Sequence, residues 1–342
     1  MKQLLNTLYL MTPNMYAHLD HETLKVEMDR VLKLQVPLHH LGGIVCFGNV
    51  MISPGLIQKC AEDGRTLVFL DRNGRFKARI EGPTCGNVLL RMAQYEAHTR
   101  AKKRMAIARN IAAGKLQNSR SVLMRGAREA KNPSDEASLR DASHHLAKII
   151  KRLPDCSDLE ALRGHEGEAG RSYFYAFDAM IVADKSIFAF NGRSRRPPRD
   201  PVNATLSFLY ALLLSDCISA AEGVGLDPQL GFLHAVRPGR PSLALDLMEE
   251  LRSVLCDRVA LTLINRKQIT EKHFEERPGG AVLLTEKGRK KAIVAYQKRK
   301  QDEVTHEVVD RKMPFGLVPH VQARLLARML RGDITEYLAF RC

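Results

Sequence analysis

The sequence lacks paired cysteines. Its 7 cysteines are scattered, with no Cys-x-x-Cys spacing, which argues against a zinc ribbon and against a disulfide framework. Unpaired cysteines are typical of a reducing compartment, so we expect a cytoplasmic protein. Cys217 and Cys256 lie in apolar helical patterns and are predicted to be core residues.

The motifs of several enzyme classes are also absent. The sequence has no phosphate-binding loop, no Rossmann glycine fingerprint and no Gly-x-Ser-x-Gly elbow. No stretch is expected to approach the apolar run that a membrane-spanning helix needs. Met1–Asn6 shows neither the apolar core nor the cleavage site of a signal peptide. We therefore expect neither a nucleotide cofactor nor a membrane partner.

The sequence has fewer acidic than basic residues. The 342 residues include 53 Lys and Arg against 38 Asp and Glu, which makes the formal net charge +15. So basic a protein is most simply explained by a polyanionic partner. Aromatic residues make up 6% of the chain, and few lie in its basic segments, which favours recognition of a nucleic acid by its backbone and shape.

Short strand-like runs separated by turn residues occupy the first eighty residues. The predicted strands are Leu4–Leu10, Met15–Leu19, Thr23–Met28, Leu32–Leu38, Ile44–Phe47, Leu67–Leu70 and Phe76–Ile80. An Asn-Gly pair makes the last two a hairpin. One helix interrupts the strands, with Ser53 as its N-cap, Pro54 in its first turn and Gly64 at its end. These features predict a small β domain over residues 1–84.

Glycine and proline become rarer after Glu81–Gly86, and long helical periodicity begins there, so residues 85–342 are predicted to form a second, helical domain. The predicted helices are Asn87–Ala113, Ser119–Ala130, His144–Leu153, Leu159–Ala183, Val202–Glu222, Ser242–Leu263 and Pro319–Arg331, and the tail segment Glu286–Lys300 alternates basic and apolar residues. Of these, Val202–Glu222 is very apolar and is expected to be buried. The polar stretch Lys131–Ser143 is predicted to be a loop.

Arginines are concentrated on one proline-rich loop, 191–201, which cannot be a helix interior. Arginine is well suited to bidentate phosphate contact, so we expect this loop to bind DNA. Two further arginines flank the segment before the helix Ser242–Leu263 and would hold a phosphate there. The candidate DNA-binding residues are Arg193, Arg195, Arg196, Arg199, Arg237 and Arg240.

Three residues stand in positions that suggest chemistry. Glu166 lies in Gly164–Gly167, where the flanking glycines would let a helix or a phosphate come close. His234 follows a glycine-rich turn in the motif Gly-Phe-Leu-His. Asp246 lies between two leucines on a predicted helix, and Glu249 follows it by one turn on the same face.

A Glu, a His and an Asp together suit Mg²⁺ or Mn²⁺, which can activate water or a 3′-hydroxyl and polarise a phosphodiester. Each residue alone has a simpler interpretation, because a glutamate or aspartate often pairs with a nearby arginine and a histidine is often a partly buried core residue. The candidate partners are Arg163 or Arg171 for Glu166, and Arg240 or Arg252 for Asp246. The sequence does not show that the three residues meet.

In this order, the motifs resemble those of the CRISPR spacer-acquisition integrase, the first-numbered Cas protein, in the branch attached to type I systems and within it subtype I-C. The resemblance covers essentially the whole chain. It also rests on Arg195–Asn203 before the apolar helix, and on Gln322–Ala327 and Leu330–Asp333 in the tail.

The resemblance implies an α+β multidomain fold, with a small N-terminal β-sandwich-like domain and a larger all-α C-terminal catalytic domain. It implies a metal-dependent DNA endonuclease and integrase that inserts short DNA spacers into the repeat array. By motif, Glu166, His234 and Asp246 would be catalytic and hold Mg²⁺ or Mn²⁺, with Glu249 as an auxiliary acid. The implied partners are double-stranded DNA, a second copy of the chain bound through the β domains, and the small second-numbered Cas protein.

Two other classes stay open on the residues alone. A non-catalytic basic DNA-binding protein would account for the charge but not for acids in apolar surroundings. A structure-specific DNA or RNA nuclease of repair would use the same metal chemistry. Metal-dependent cleavage separates the first from an integrase, and strand transfer into a repeat separates the second.

Overall fold

The computed structural model describes residues 7–72, 74, 76–80, 82 and 88–342. The chain divides into two compact units, Met1–Gly86 and Asn87–Cys342. Apart from Gly82, the boundary segment Glu81–Gly86 lies outside the described residues, as do Leu4–Asn6 of the first predicted strand and Asn73 of the predicted hairpin turn.

The first unit is built from strands and one helix. Within its described residues, the strands are β1 (Thr7–Leu10), β2 (Tyr16–Asp20), β3 (Thr23–Met28), β4 (Val31–Pro37), β5 (Gly43–Phe47), β6 (Met51–Ile52), β7 (Thr66–Leu70) and β8 (Phe76–Ile80), and the helix is α1 (Pro54–Glu62). They form two sheets of four strands, ordered β1-β5-β7-β8 and β4-β3-β2-β6. The predicted hairpin is confirmed, because β7 and β8 pair antiparallel.

Both sheets and α1 contribute to one apolar core, with Leu10 from β1, Leu24 from β3, Ile44 from β5 and Leu56 from α1 all buried. The predicted N-cap of α1 is also confirmed, since the Ser53 hydroxyl accepts a hydrogen bond from the backbone N–H of Leu56 at 3.2 Å. The predicted β-rich first part of the α+β fold is therefore confirmed.

The second unit is mostly helical, and its helices are α2 (Val88–Thr99), α3 (Ala101–Glu129), α4 (Pro133–Arg152), α5 (Leu159–Phe177), α6 (Lys185–Phe188), α7 (Pro201–Val224), α8 (Ser242–Glu249), α9 (Arg258–Asn265), α10 (Glu286–Gln301) and α11 (Val318–Arg331). Two short hairpins that the sequence analysis missed accompany them: β9 (Phe274–Arg277) with β10 (Ala281–Leu284), and β11 (Glu303–His306) with β12 (Arg311–Pro314). The helical character predicted for this part of the chain is confirmed.

Helix α7 is the buried centre that its composition predicted. Asp200 caps it, Pro201 opens it, and Gly225 ends it in the left-handed conformation at φ 91°. The expectation that no apolar run approaches membrane length was wrong, because this helix is long and apolar enough by length and composition. Two thirds of its most apolar window, 67%, is buried within the protein, which is typical of a core helix.

The prediction of a loop over Lys131–Ser143 was wrong. Asn132 accepts a hydrogen bond from the Asp135 backbone N–H at 2.7 Å and so caps α4, which begins at Pro133. The side chains of Leu139, Leu146 and Ile149 are fully buried along one face. The polar residues that suggested a loop are the solvent face and the N-terminal cap of an amphipathic helix.

Two predicted helix boundaries also differ from the structure. The chain breaks at Arg100, between α2 and α3, and α3 then continues through Gly114, where the sequence predicted an end. A Cβ at Gly114 would lie 2.4 Å from the Cβ of Ala339, so this glycine admits the C-terminal segment against the helix. Where the sequence predicts one helix, Ser242–Leu263, the structure has three consecutive segments: α8, a π-helical segment Arg252–Asp257, and α9.

Candidate active site

Lys115 lies between two glutamates from different helices. Its ammonium group, on α3, contacts the Glu166 carboxylate on α5 and lies 2.7 Å from Oε2 of Glu249 on α8. The Lys115 and Glu166 side chains are 15% and 26% exposed, and that of Glu249 is 5% exposed. The helices α3, α5 and α8 therefore bring two acids around one positive charge, at a place open to solvent.

Glu249 is held ionised in the interior. Burial opposes its negative charge, but the guanidinium of Arg252, together with Lys115 and His234, keeps its pKa below the ordinary value. Arg252 donates to Glu249 Oε1 at 2.7 Å. The guanidinium also stacks on the Tyr210 ring, 4.3 Å from its centroid, so this partner is fixed in place. Glu249 thus presents a permanent carboxylate to the site.

His234 points one ring nitrogen toward Glu249 and the other toward Asp246. Its Nδ1 donates to Asp246 Oδ1 at 2.7 Å, because an ionised carboxylate can only accept. In the neutral ring, which is the form that binds a metal, the lone pair is then on Nε2, which lies 3.8 Å from Glu249 Oε1. A histidine oriented in this way by a carboxylate is the usual arrangement of a metal-ligating imidazole.

Asp246 is fully buried, and it organises the turn that carries His234. Its Oδ2 accepts from the backbone N–H of Phe232 at 2.5 Å and of Leu233 at 3.0 Å, and its Oδ1 accepts from the backbone N–H of His234 at 2.9 Å. A Cβ at Gly231 would lie 2.7 Å from Asp246 Oδ2, so only glycine lets the turn come this close.

The carbonyl groups of the same turn are bound from the opposite side. His98 contacts the Gly231 carbonyl at 2.7 Å, Arg104 donates to the Phe232 carbonyl at 3.1 Å, and Arg163 donates to the Leu233 carbonyl at 2.7 Å. These side chains come from α2, α3 and α5. The turn is therefore fixed through both its N–H and its C=O groups, which fixes the position of His234.

A cavity of about 720 Å³ opens beside the acids. Lys115, Glu166 and Glu249 line one part of it, and the rest includes Phe174 and Arg195. Gly167 and Gly170 of α5 line this space. A Cβ at position 170 would meet nothing within 4 Å, and one at position 167 would meet only the end of an arginine at 3.9 Å. The glycine-flanked position of Glu166 thus leaves room for a bulky ligand.

The predicted DNA-binding arginines divide into two groups. Arg193 is turned inward, donating to Asn203 Oδ1 at 2.5 Å and to Ser207 Oγ at 2.9 Å, so it braces the loop. Arg199 is exposed and donates to the Gly279 carbonyl at 2.7 Å. Arg195 is exposed and borders the cavity.

The other predicted arginines form a positive cluster. Burial lowers the pKa of Arg240, and the positive charges of Arg237, Arg163 and Arg196 lower it further. Arg196 and Arg237 are exposed. Positive charges from three separate segments repel one another, and an anionic ligand such as a phosphodiester would relieve that repulsion.

In the structure, Glu166 and Glu249 share the Lys115 ammonium, and Nε2 of His234 faces Glu249. Asp246 lies on the other side of the His234 ring, at Nδ1. Within the described residues, no three His, Cys, Asp or Glu side chains converge closely enough to hold a metal ion as they stand. The ammonium of Lys115 lies between the two glutamates where a cation would bind. Two carboxylates, one of them the buried Glu249, and an imidazole Nε2 are a donor set suited to Mg²⁺ or Mn²⁺.

Sequence reasoning missed Lys115 and the support behind α8, and it named Arg252 only as a possible partner of Asp246, whereas Arg252 donates to Glu249. Glu250, next to Glu249, accepts hydrogen bonds from Gln322 at 2.7 Å and from the Phe340 backbone N–H at 2.8 Å, and Tyr337 also donates to it. Burial raises the pKa of Glu250 to about 8. Asn118 donates to the Glu250 carbonyl at 2.7 Å, so the C-terminal segment and α3 together fix the end of α8.

Comparison with known proteins defines the class of this fold and site. The family model described as "CRISPR associated protein Cas1" matches residues 8–298, and the chain belongs to that family. It is 59% identical to the CRISPR-associated endonuclease Cas1 1 of Moorella thermoacetica over 98% of both chains. It is 51% identical to the CRISPR-associated endonuclease Cas1 2 of Rhodospirillum rubrum, again over 98% of both.

Solved structures share the fold. A Cas1 protein from Thermotoga maritima superposes with a TM-score of 0.81 at 24% identity, covering 97% of this chain and 98% of its own. A casposase bound to integration product superposes with a TM-score of 0.83 at 22% identity, covering 97% of this chain and 92% of its own. The predicted family, fold class and role in CRISPR adaptation are confirmed, and the protein is a nuclease of that family. Subtype I-C stays a prediction.

Proposed function

We propose that the protein inserts short DNA fragments into a CRISPR repeat array by divalent-metal-dependent strand transfer. The observation that carries the proposal is the approach of Glu166 and Glu249 to one shared cation, with Nε2 of His234 beside Glu249 and a cavity alongside. Family membership supplies the biological setting of this chemistry.

Glu166, Glu249 and the Nε2 of His234 would hold Mg²⁺ or Mn²⁺. A bound ion of this kind lowers the pKa of a hydroxyl and neutralises charge on a phosphodiester. In this proposal Asp246 is a positioning residue, because both its oxygens already accept hydrogen bonds from the turn 232–234. Arg252 keeps Glu249 ionised and fixes its orientation.

The remaining groups act on DNA. The exposed residues Arg195 and Arg196 and the pair Arg237 and Arg240 would bind phosphates on either side of the acids. A 3′-hydroxyl held in the cavity beside Glu166 and Lys115 would be positioned for attack on the scissile phosphorus. Transfer to a 3′-hydroxyl exchanges one phosphodiester for another and requires no nucleotide cofactor.

The assembly is part of the proposal. A solved complex titled "Cas6-RT-Cas1--Cas2 complex" contains a chain that superposes on this one with a TM-score of 0.83 at 21% identity, and this chain covers 36% of it. We infer that this protein likewise works on double-stranded DNA with a small second subunit of the Cas2 kind, in the cytoplasm. We further infer that it forms a homodimer through the predicted β domain, residues 1–84, while residues 85–342 carry the catalysis.

A strand-transfer assay tests the proposal. Purified protein with its small partner is given a fragment with free 3′-hydroxyl ends, a supercoiled plasmid carrying the repeat, and Mn²⁺. We expect joined products from the wild type and none from Glu166→Ala, with DNA affinity unchanged in the variant. Cleavage without joining would favour a repair nuclease instead, and full activity in Glu166→Ala would overturn the site assignment.

A further inference from the structure

Lys115 differs from the other basic residues of its helix in being enclosed by acids. Its side chain is 15% exposed, and its ammonium group contacts Glu166 and Glu249 at once. Two carboxylates brought together in a partly buried site repel each other, and a single ammonium group between them removes most of that repulsion. The contact therefore explains how the acid pair stays assembled in the protein alone.

The two cations around Glu249 are not equivalent. Arg252 is buried, stacked on Tyr210 and bonded to Glu249 Oε1, so it cannot leave without disrupting the packing around it. Lys115 reaches Glu249 Oε2 on a flexible four-carbon chain at the wall of the cavity. Lys115 is the cation that can move away into open space.

We propose that Lys115 is a built-in counter-ion, which holds Glu166 and Glu249 together in the metal-free protein and is displaced when a divalent cation binds. The inference rests on the metal site of the proposed function. Lysine and metal ion compete for the same two carboxylates, so the positive charge at position 115 reduces metal affinity. In exchange, the lysine keeps the ligands at the correct separation until the metal arrives.

Equilibrium Mn²⁺ binding, followed by the electron paramagnetic resonance signal of the free ion, tests this without any assay of activity. The variant Lys115→Met keeps the length of the side chain and removes its charge. We expect it to bind Mn²⁺ about tenfold more tightly or better, the equivalent of ~1.4 kcal/mol. The matched control is Lys131→Met, which removes the same charge from an exposed position just beyond α3 and should bind like the wild type.

A second measurement uses the wild-type protein, so it stands even if Lys115→Met fails to fold. Limited acetylation with an amine-reactive ester, read by mass spectrometry, reports how accessible each lysine is. We expect Mn²⁺ to increase the labelling of Lys115 severalfold while leaving Lys131 unchanged. Labelling of Lys115 that is insensitive to bound Mn²⁺ overturns the inference.

The outcomes separate the two proposals. If the wild type and Lys115→Met both fail to bind Mn²⁺, the proposed metal site fails and the inference with it. If the wild type binds Mn²⁺ and Lys115→Met binds it equally or more weakly, the metal site stands and the counter-ion role is excluded. Tighter binding by Lys115→Met together with metal-dependent labelling of Lys115 supports both.

Discussion

His234 and Asp246 are joined by a hydrogen bond of 2.7 Å between Nδ1 and Oδ1, and the same carboxylate accepts three backbone N–H groups of the turn that carries the histidine. One buried acid thus fixes the position of the turn, the ring orientation of His234 and its tautomer. In the neutral ring, the lone pair of Nε2 is then on the side of Glu249. This relationship makes the histidine a prearranged ligand.

Replacing Asp246 by Asn should therefore weaken metal binding without removing a ligand. The amide oxygen can replace only one carboxylate oxygen, and an NH₂ group at the Oδ1 position cannot accept from Nδ1 or from the backbone N–H of His234. His234 therefore loses its fixed tautomer. We expect Mn²⁺ affinity to fall by about 10–100-fold, the usual cost of losing such a partner. Calorimetric titration with Mn²⁺ measures it.

Asp227→Asn is the matched control for that experiment. Asp227 begins the same loop, where its side chain accepts from Tyr95 at 2.7 Å and from the Gln229 backbone N–H at 2.8 Å. The Asp227→Asn substitution removes the same negative charge as Asp246→Asn but leaves the contacts of His234 unchanged. Equal affinities for all three proteins would contradict the positioning role of Asp246.

The adjacent acids Glu249 and Glu250 should behave differently. Glu249 faces Lys115 and the cavity, whereas Glu250 is bound by the C-terminal segment. We expect Glu249→Gln to abolish Mn²⁺ binding and strand transfer, and to lower the melting temperature as well, because the buried Arg252 loses its ionised partner. Glu250→Gln should lower the melting temperature and retain Mn²⁺ binding. The reverse pattern would show that the two side chains had been assigned to the wrong roles.

His306 should make the protein sensitive to mild acid. It is fully buried, and its Nε2 donates at 2.9 Å to Oε1 of Gln322, whose amide nitrogen is already a donor to Glu250. Its Nδ1 has no hydrogen-bond partner within the described chain. Burial lowers the pKa of His306, so the neutral ring is the form that the folded state accommodates.

Because the folded pKa of His306 lies below the unfolded value, the unfolded chain binds more protons between the two. The free energy of unfolding should therefore fall as the pH drops below ~6.5, and continue to fall until the folded pKa is passed. Urea unfolding at a series of pH values measures this. His306→Gln should flatten the dependence, and His144→Gln, at an exposed position, should not. An unchanged slope in His306→Gln would contradict the prediction.

The arginine cluster should appear in the salt dependence of DNA binding. Removing one arginine that binds a phosphate is expected to reduce the slope of log K against log salt by ~0.9. We predict such a reduction for Arg196→Gln and for Arg237→Gln, measured by fluorescence anisotropy with one duplex. Arg277→Gln is the control, because Arg277 is exposed and paired with Glu275 at 2.6 Å. Slopes that match the wild type would exclude the cluster from the DNA interface.

Local signals made much of this fold predictable. Ser53 and Gly64, at the two ends of α1, are short-range features, and the alternation of apolar residues located most of the strands. The prediction of a loop over Lys131–Ser143 failed because a polar helix face and a loop have the same composition. Only the burial of Leu139 and Ile149 distinguishes the helix from a loop. The break at Arg100 depends on contacts that α2 makes with the turn after α7, which no local pattern contains.

The candidate site was predictable where a motif isolates a residue, as it does for Glu166 and His234. Lys115 was not, because it lies 51 residues before Glu166 on a helix where basic residues are common. Asp246 and Glu249 share a helix face, and the sequence does not say which of them faces the cavity. The difference is set by the turn 231–234, whose N–H groups surround Asp246 and leave Glu249 open.

The most direct test of the central claim is a crystal structure with Mn²⁺, with the ion located by its anomalous scattering. The account predicts one strong peak within bonding distance of Glu166, Glu249 and Nε2 of His234, with the Lys115 ammonium moved away from it. A peak bound by Asp246 in place of Glu249, or none near Glu166 at saturating Mn²⁺, would contradict it.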